Sequence, residues 1–192
     1  HMKASIAKGF GKSIKRMFGG ESIVVNTFTA QGAPGEVTFA PGPMGDLHHY
    51  NIDGGGIMLQ KGAFVARSGG VDLDAKWQGM KGFFSGEGLF LLKATGQGDV
   101  FFNTYGAAIE VDVSGNYVVD TSYVVAFEDT LNYRITALSG LTPGQSVKSF
   151  LFGGEGLVCN FSGQGKLWVQ TRAITPYLRW VHSYRPVERR GS

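Results

Sequence analysis

Residues 152–169 read FGGEGLVCNFSGQGKLWV, and this stretch recurs twice earlier in the chain. Residues 84–102 read FSGEGLFLLKATGQGDVFF and residues 18–39 read FGGESIVVNTFTAQGAPGEVTF, so the copies begin 66 and 68 residues apart. Each copy has a Gly-Glu step, an apolar run, a Gln-Gly step and a second apolar run. Two β-rich runs joined by a short glycine turn are typical of a β-hairpin, so the sequence predicts three hairpins.

The segments between these copies also repeat. Residues 52–59 (IDGGGIML) parallel residues 113–119 (VSGNYVV) at an offset close to 60. A full repeat is therefore about 65 residues long, and the first copy consists of its hairpin half alone. We expect one compact domain with the following parts: a basic N-terminal segment 1–13, partial repeat one 14–41, repeat two 42–106, repeat three 107–173 and a C-terminal tail 174–192.

Composition indicates the fold class. The chain has 192 residues, of which 43% are hydrophobic and only 17% are charged, so it can bury a core and is not disordered. Its 30 glycines are about twice the usual share of roughly 7%. Glycine at this density without a collagen period indicates many tight turns between short strands. The sequence therefore predicts an all-β protein.

The charge distribution disfavours a nucleic-acid interface. Residues 1–16 and 179–190 together hold nine basic residues and one acid, a net charge of +8. The remainder has the other nine basic residues against fourteen acids, a net charge of −5. A nucleic-acid-binding domain usually carries its basic patch on the folded body. We therefore expect no nucleic-acid partner, and any contact with phosphates should come from the two ends.

A single cysteine, Cys159, excludes an internal disulfide framework and a cysteine metal cluster. It lies in an apolar run, where a buried, inert thiol is expected. The sequence has no Gly-x-Ser-x-Gly elbow, no membrane-spanning apolar run and no secretory signal, so we expect no enzyme activity, no cofactor and no integral membrane span. The expected location is the cytoplasm, or the mitochondrion if the source is eukaryotic.

The repeated Gly-Glu and Gln-Gly steps are the candidate site residues. We assign them a structural role in turns, where each glutamate accepts backbone N–H bonds. An alternative is that the three equivalent glutamates converge on a pseudo-threefold axis and hold a cation such as Ca²⁺ or Mg²⁺. The turn residues are Gly20, Glu21, Gly86, Glu87, Gly154, Glu155, Gln31, Gln97 and Gln164, and the possible cation ligands among them are Glu21, Glu87 and Glu155.

Two other groups suggest ligands at first sight. His48 and His49 are adjacent, so on a strand they point to opposite faces and cannot readily share a metal ion. The glycine runs at 54–56 and 96–98 lead into strands, whereas a phosphate-binding loop leads into a helix N-terminus. We expect neither group to form a binding site.

These motifs together resemble one family, the altered inheritance of mitochondria protein twenty-four family. The resemblance is carried by the Gly-Glu-Gly-Leu and Gly-Gln-Gly steps of the last copy and by LWVQTR at 167–172. It extends in order over residues 14–173. Further matching stretches are GES at 20–22, NTFTA at 26–30, FAP at 39–41, QKGAFVA at 60–66 and VVAFE at 124–128.

The resemblance implies a fold and leaves the activity open. Family members resemble the subunit of the tryptophan RNA-binding attenuation protein, so it implies three tandem β-sandwich or barrel-like repeats in a pseudo-threefold arrangement. The first repeat of this chain lacks its front half. The family has no defined enzymatic activity, and its eukaryotic members are linked to mitochondrial inner-membrane organisation. We predict a non-enzymatic scaffold or assembly protein; the alternatives are an RNA-binding module and a small-ligand-binding protein.

The incomplete first repeat predicts a protein contact. Its hairpin would leave an apolar face and a strand edge uncovered, which invites pairing. Residues 177–184 contain several large apolar side chains and lie between Pro176 and Pro186, as a short added strand would. We expect this tail to cover repeat one within the same chain or in a neighbouring subunit, which makes a homo-oligomer one of the expected outcomes.

Overall fold

The structure is a computed structural model that describes residues 2–6, 24–60, 62–76, 91–137 and 157–185. It confirms the all-β expectation, because the described residues form mainly antiparallel strands with one α-helix and one 3-10 turn. The elements are β1 Met2–Ile6, β2 Val24–Phe28, β3 Leu47–Gln60, β4 Phe64–Arg67, β5 Val71–Lys76, β6 Leu91–Asn103, β7 Ala108–Asp120, the 3-10 turn Thr121–Tyr123, β8 Val124–Glu128, β9 Asn132–Ala137, β10 Leu157–Gln170 and α1 Ile174–His182.

Strands β3–β6 and β7–β10 form two strand groups with the same design. Each group has a long strand, two short strands and a second long strand, and the second long strand pairs with the other three. Both groups belong to one eight-stranded sheet in the order β4-β6-β3-β8-β10-β7, with β5 also on β6 and β9 also on β10. The three-repeat, pseudo-threefold arrangement stays a prediction.

The Gly-Gln-Gly steps are bends within strands, so the prediction of hairpins at these positions is wrong. Gln97 lies within β6 and Gln164 within β10, and each of these strands pairs along its length with one long neighbour, β3 or β7. Gly96, Gly98 and Gly163 have positive φ angles of 109°, 131° and 113°. Such glycines allow either a chain reversal or a sharp bend. Because β6 and β10 each pair with the same neighbouring strand on both sides of these glycines, the glycines here produce bends.

The first copy also differs from its prediction. Residues 36–39, expected as the return strand of a hairpin, are not in a strand, and β2 pairs instead with β1. Prolines at 34, 41 and 43 flank this segment, and each lacks the N–H needed to extend a strand ladder. Phe39 nevertheless contacts the body, with its ring centroid 5.2 Å from that of Phe101.

The described part of the tail is a helix, so the prediction of an added strand there is wrong. Pro176 occupies the first turn of α1, where a missing N–H breaks no helical hydrogen bond, and the N–H of Tyr177 donates to the carbonyl of Ala173 at 3.2 Å. Apolar residues recur at spacings of three and four, which is the period of a helix. Among the described residues, Tyr177 of α1 packs against Tyr105 of repeat two, with the ring centroids 6.0 Å apart.

The buried side chains form two adjoining clusters, one centred on each strand group. They meet where β3 contacts β8: Val125, Ala126 and Trp168 of the second group belong to the first cluster, and Met58 and Leu91 of the first group belong to the second. The hydrophobic core is therefore shared between the groups. Its largest fully buried side chains include Phe102, Phe127 and Phe161.

Candidate functional site

The feature that joins the two strand groups is a short antiparallel pairing between β3 and β8, which we call the junction. Ile57, Met58 and Leu59 lie opposite Glu128, Phe127 and Ala126. The apolar members of these pairs are buried: Met58 is 6% exposed and Phe127 is fully buried. The rings of Tyr133 and Phe161 pack on Phe127 with centroids 5.0 Å away. The junction thus combines a strand ladder with core packing.

Glu128 fastens the junction with both carboxylate oxygens. Its Oε1 accepts a hydrogen bond from the hydroxyl of Tyr50 at 3.0 Å, and its Oε2 accepts one from the backbone N–H of Lys166 at 2.8 Å. Burial, with help from the neighbouring Glu128, raises the pKa of Tyr50 to about 12. Tyr50 therefore remains a neutral donor across the physiological pH range, and Glu128 links β3 of one group to β10 of the other.

Asp129 makes a second set of contacts at a bulge in β3. Its Oδ1 accepts the N–H of Gly56 at 3.0 Å, and its own N–H donates to the carbonyl of Gly56 at 2.9 Å. Lys93 lies 2.8 Å from Oδ2, and a Cβ added to Gly56 would lie 2.6 Å from the same oxygen. A side chain at position 56 would displace this carboxylate, so glycine permits the close approach. The side-chain chemistry of Glu128 and Asp129 serves packing and alignment.

Each strand segment of the junction has an equivalent in the other strand group. The corresponding edge of that equivalent pairs with no strand among the described residues. Ala66 lies opposite Phe101 in the first group just as Ala126 lies opposite Trp168 in the second, so residues 66–68 are equivalent to 126–128. By the same offset, residues 117–119 of β7 are equivalent to 57–59 of β3. Strands β4 and β7 are the two ends of the strand order. We call residues 66–68 and 117–119 the open edges.

Side-chain exposure differs between the paired junction and the unpaired open edge. Met58 is 6% exposed at the junction, whereas Val118, its equivalent on the open edge, is 55% exposed. An exposed β-branched residue on a terminal strand offers both an apolar contact and an unpaired strand ladder. The open edges therefore each offer a surface that could pair with another strand.

Two polar clusters lie on equivalent parts of the two groups. In the first, Oδ1 of Asp99 contacts Nε2 of His49 at 2.7 Å and Nδ2 of Asn51 at 3.0 Å, and these contacts lower the pKa of Asp99, that of Asn51 most. In the second, Lys166 pairs with Glu110, and the pairing raises the pKa of Lys166. Both clusters lie at the surface: the carboxylate of Asp99 is hydrogen-bonded to His49 and Asn51, and Lys166 forms an ion pair with Glu110.

The structure describes three of the predicted turn residues. Gln97 and Gln164 lie within strands as described above, and Gln31 lies in an exposed loop beside the bend at Gly32. The other six, namely Gly20, Glu21, Gly86, Glu87, Gly154 and Glu155, lie outside the described residues. Their turn role and the alternative cation site therefore stay predictions. Within the described ranges no group of three or more His, Cys, Asp or Glu side chains could hold a metal ion.

The adjacent histidines diverge, as their positions on a strand predict. The ring of His48 stacks near Phe102, at 5.5 Å between centroids, whereas that of His49 packs near Phe101, at 5.1 Å. Phe102 is a core residue and His49 is exposed, so the two imidazoles lie on opposite faces of β3.

Cys159 is fully buried, and burial raises the pKa of its thiol to about 12 from an ordinary value near 9. At pH 8 this shift reduces the thiolate fraction about 10³-fold. We expect a chromogenic thiol reagent to label the native protein about 10³-fold more slowly than the protein in denaturant. Labelling of the native chain at the denatured rate would contradict the buried thiol.

Helix α1 presents a second exposed surface. Its apolar side chains lie on one face and are largely exposed, and none of its residues is buried. None of the described helices is long and apolar enough to cross a membrane. The exposed apolar residues are Ile174, Tyr177, Leu178 and Trp180, followed just after the helix by Tyr184.

The fold and the junction define a class of protein: an antiparallel β protein in which two similar strand groups share one sheet and one core. Residues 1–172 match the family model described as Mitochondrial biogenesis AIM24, and the chain belongs to this family. The resemblance noted in the sequence is thereby confirmed.

Two streptococcal proteins are similar to this chain. An uncharacterized protein of Streptococcus pyogenes serotype M6 is 26% identical over 185 residues, which cover 93% of this chain and 72% of that protein. The crystal structure of a Streptococcus pyogenes protein from a structural genomics programme superposes with a TM-score of 0.69 at 19% identity, covering 96% of this chain and 85% of the other. The latter similarity supports the fold alone.

Proposed function

We propose that this protein is a non-enzymatic assembly protein that associates with copies of itself through its open edges. The observation that carries the proposal is the junction: the chain makes this strand pairing once internally and presents both of its halves again at β7 and β4. Residues 117–119 of one copy would pair with residues 66–68 of the next, as residues 57–59 pair with 126–128. The three-unit arrangement implied by the family resemblance would arise in the same way, by adding one more strand group.

The chemistry of the described side chains supports an assembly role over an enzymatic one. The carboxylates at the junction, those of Glu128 and Asp129, are engaged by backbone N–H groups, Tyr50 and Lys93. The cysteine is buried, and burial raises its pKa. A free, buried cysteine also suits the cytoplasmic location that we propose.

The RNA-binding alternative receives less support. Binding by equivalent faces of repeated units would need a cation at the same position of each unit. The equivalent position is occupied by Asp99 in the first strand group and by Lys166 in the second, and Lys166 is paired with Glu110. The net charge of −5 outside the two basic ends also opposes phosphate binding. No observation here favours this function over self-assembly.

Self-assembly through the open edges can be tested by introducing a charge at residue 118. Val118→Asp should convert a dimeric or larger assembly into a single-chain species, because an uncompensated carboxylate on an edge strand opposes pairing. Mass should be measured by light scattering during size-exclusion chromatography. Ile109→Asp is the matched control, since Ile109 is 50% exposed on the other half of the same strand, and it should leave the assembly intact.

A wild-type protein that has the mass of one chain at all concentrations would contradict self-assembly. If Val118→Asp then also lowered the melting temperature more than Ile109→Asp, the open edge would instead be covered by residues of the same chain. A mass that falls equally in both variants would contradict the specific use of residues 117–119.

A further inference from the structure

The open edge of β4 carries a cation at a position where the junction has an aromatic ring. Arg67 of this edge is the equivalent of Phe127 in the junction. Met58 lies opposite Phe127, so Val118 of the next copy would lie opposite Arg67. A charged side chain on an edge strand opposes pairing with a strand that offers no counter-charge. Arg67 therefore restricts which strands can pair with β4.

The guanidinium of Arg67 is incompletely paired within the part of the chain that the structure describes. Its Nε is buried and has no hydrogen-bond partner there, whereas its Nη1 donates to the carbonyl of the next residue, Ser68, at 3.1 Å. Among the described residues it forms no ion pair. A buried N–H of a charged group without an acceptor costs free energy, so an acceptor supplied by a neighbouring strand would stabilise it.

The other open edge is followed by a carboxylate on the same strand. By the register of β7 on β10 and of β3 on β6, Asp120 is the equivalent of Gln60. Asp120 lies two residues from Val118, and residues two apart on a strand point to the same face. Diagonal neighbours across two paired strands are within reach of long side chains. The carboxylate of one copy would therefore lie within reach of the guanidinium on the facing strand of the next.

Asp120 has an oxygen for this contact. Its Oδ1 accepts the backbone N–H of Ser122 at 2.8 Å and also the hydroxyl of Ser122, which caps the 3-10 turn. Within the described ranges, neither of these hydrogen bonds uses Oδ2. Asp120 is also partly exposed, so a second strand can approach it. The turn and an ion pair can therefore use different oxygens of one carboxylate.

We propose that Arg67 and Asp120 determine which strand edges of two copies pair, by forming an ion pair across the contact; this inference rests on the proposed self-assembly. The corresponding residues inside the chain are Phe127 and Gln60, so a neutral combination at the junction is replaced by a cation and an anion at the open edges. These opposite charges favour pairing of β4 with β7, whereas two β4 strands paired about this position would bring two arginines together.

The ion pair also agrees with the effect expected of Val118→Asp. The single guanidinium of Arg67 would already be matched by Asp120 of the facing strand. A further carboxylate at residue 118 would then remain uncompensated in the contact.

The test is a double-mutant cycle on the self-association of the full chain. Sedimentation velocity gives the chain concentration at which half of the protein is assembled, for the wild type, Arg67→Met, Asp120→Asn and the double variant. Asp120→Asn should raise this concentration about tenfold in the wild-type background, because it leaves the guanidinium without a counter-charge. In the Arg67→Met background it should change the concentration less than about twofold.

Asp112→Asn is the matched control. It removes a carboxylate from the same strand, where the side chain is 85% exposed and lies outside the open edge. It should change the half-assembly concentration less than about twofold. Asparagine at position 120 retains an oxygen that can cap the turn, and a circular dichroism melt checks this. If Asp120→Asn lowers the melting temperature, Asp120→Ser, which also supplies a capping oxygen, replaces it in the cycle.

The possible results separate the ion pair from the assembly itself. A wild-type protein that stays a single chain at every concentration would contradict the proposed self-assembly, and this inference with it. Assembly of the wild type with the same effect of Asp120→Asn in both backgrounds, or with no effect in either, would contradict the ion pair alone. An effect of Asp112→Asn as large as that of Asp120→Asn would also contradict it, because the net charge of the chain would then be the cause.

Discussion

Phe127→Ala is expected to lower the free energy of unfolding by about 3–5 kcal/mol, because a fully buried ring is lost and its cavity is left unfilled. Phe127 lies opposite Met58 in the junction and packs on Tyr133 and Phe161. The loss therefore affects both the second core cluster and the contact between strand groups. Urea unfolding followed by circular dichroism measures it.

A matched control separates burial from a general effect of truncation. Ile109→Ala truncates a large apolar side chain that is 50% exposed, and it should change the free energy of unfolding by less than about 0.5 kcal/mol. Equal losses in the two variants would mean that Phe127 does not occupy the shared core.

Gly96→Ala is expected to cost about 3 kcal/mol or more. Gly96 has a φ of 109°, which an L-residue rarely adopts, and an added Cβ would lie 2.4 Å from the backbone carbonyl oxygen of Gly70. The carbonyl cannot simply rotate away, because it accepts a hydrogen bond from the N–H of Gln97 at 3.1 Å. Backbone strain and steric overlap therefore act together.

Gly115→Ala isolates the backbone contribution. Gly115 has a φ of 100° at a comparable bend in β7, but no atom lies within 4 Å of an added Cβ. It should cost only about 1–2 kcal/mol, from the unfavourable φ alone. Thermal melts of the two variants give the comparison. A Gly115→Ala loss as large as that of Gly96→Ala would show that the contact with Gly70 is unimportant.

The sequence predicts the strands well where periodicity and repetition act together. Residues 52–59 and 113–119 were expected to be equivalent strands, and they lie in β3 and β7 with matching partners in β6 and β10. The bends at Gln97 and Gln164 could not be distinguished from turns, since glycine at positive φ serves both. The choice depends on a partner strand distant in sequence.

The prediction of a strand in the tail is wrong for a related reason: one residue type is compatible with two structures. Pro176 suggested the boundary of a strand, yet proline is equally compatible with the first turn of a helix. The spacing of Tyr177, Trp180, Val181 and Tyr184 was the available signal, because intervals of three and four residues match a helix and not a strand.

The junction residues were also missed, although a signal was present. Glu128 ends the VVAFE strand of the second strand group and Asp129 follows it, whereas the equivalent positions of the first group are Ser68 and Gly69. This departure from the repeat marks a position where the groups have different surroundings. What Glu128 contacts could not be predicted, because Tyr50 is 78 residues away in the chain.

Cysteine cross-linking tests most directly whether the junction is reproduced between copies of the chain. Because Leu59 lies opposite Ala126, Val119 of one copy should lie opposite Ala66 of the next. Equimolar Val119→Cys and Ala66→Cys proteins, mixed and oxidised, should form a disulfide-linked heterodimer, because directly opposite residues of paired strands meet the geometry of a disulfide. Cys159 stays in place, since burial raises its pKa to about 12.

The neighbouring position supplies the control for register. Val118→Cys mixed with Ala66→Cys should give little cross-linking, because adjacent residues of a strand point to opposite faces. Non-reducing electrophoresis with mass spectrometry of the linked peptides reads both mixtures. A heterodimer joined through residues 119 and 66 is the predicted result; no intermolecular disulfide in that pair, or equal yields from the two mixtures, would contradict assembly through the open edges.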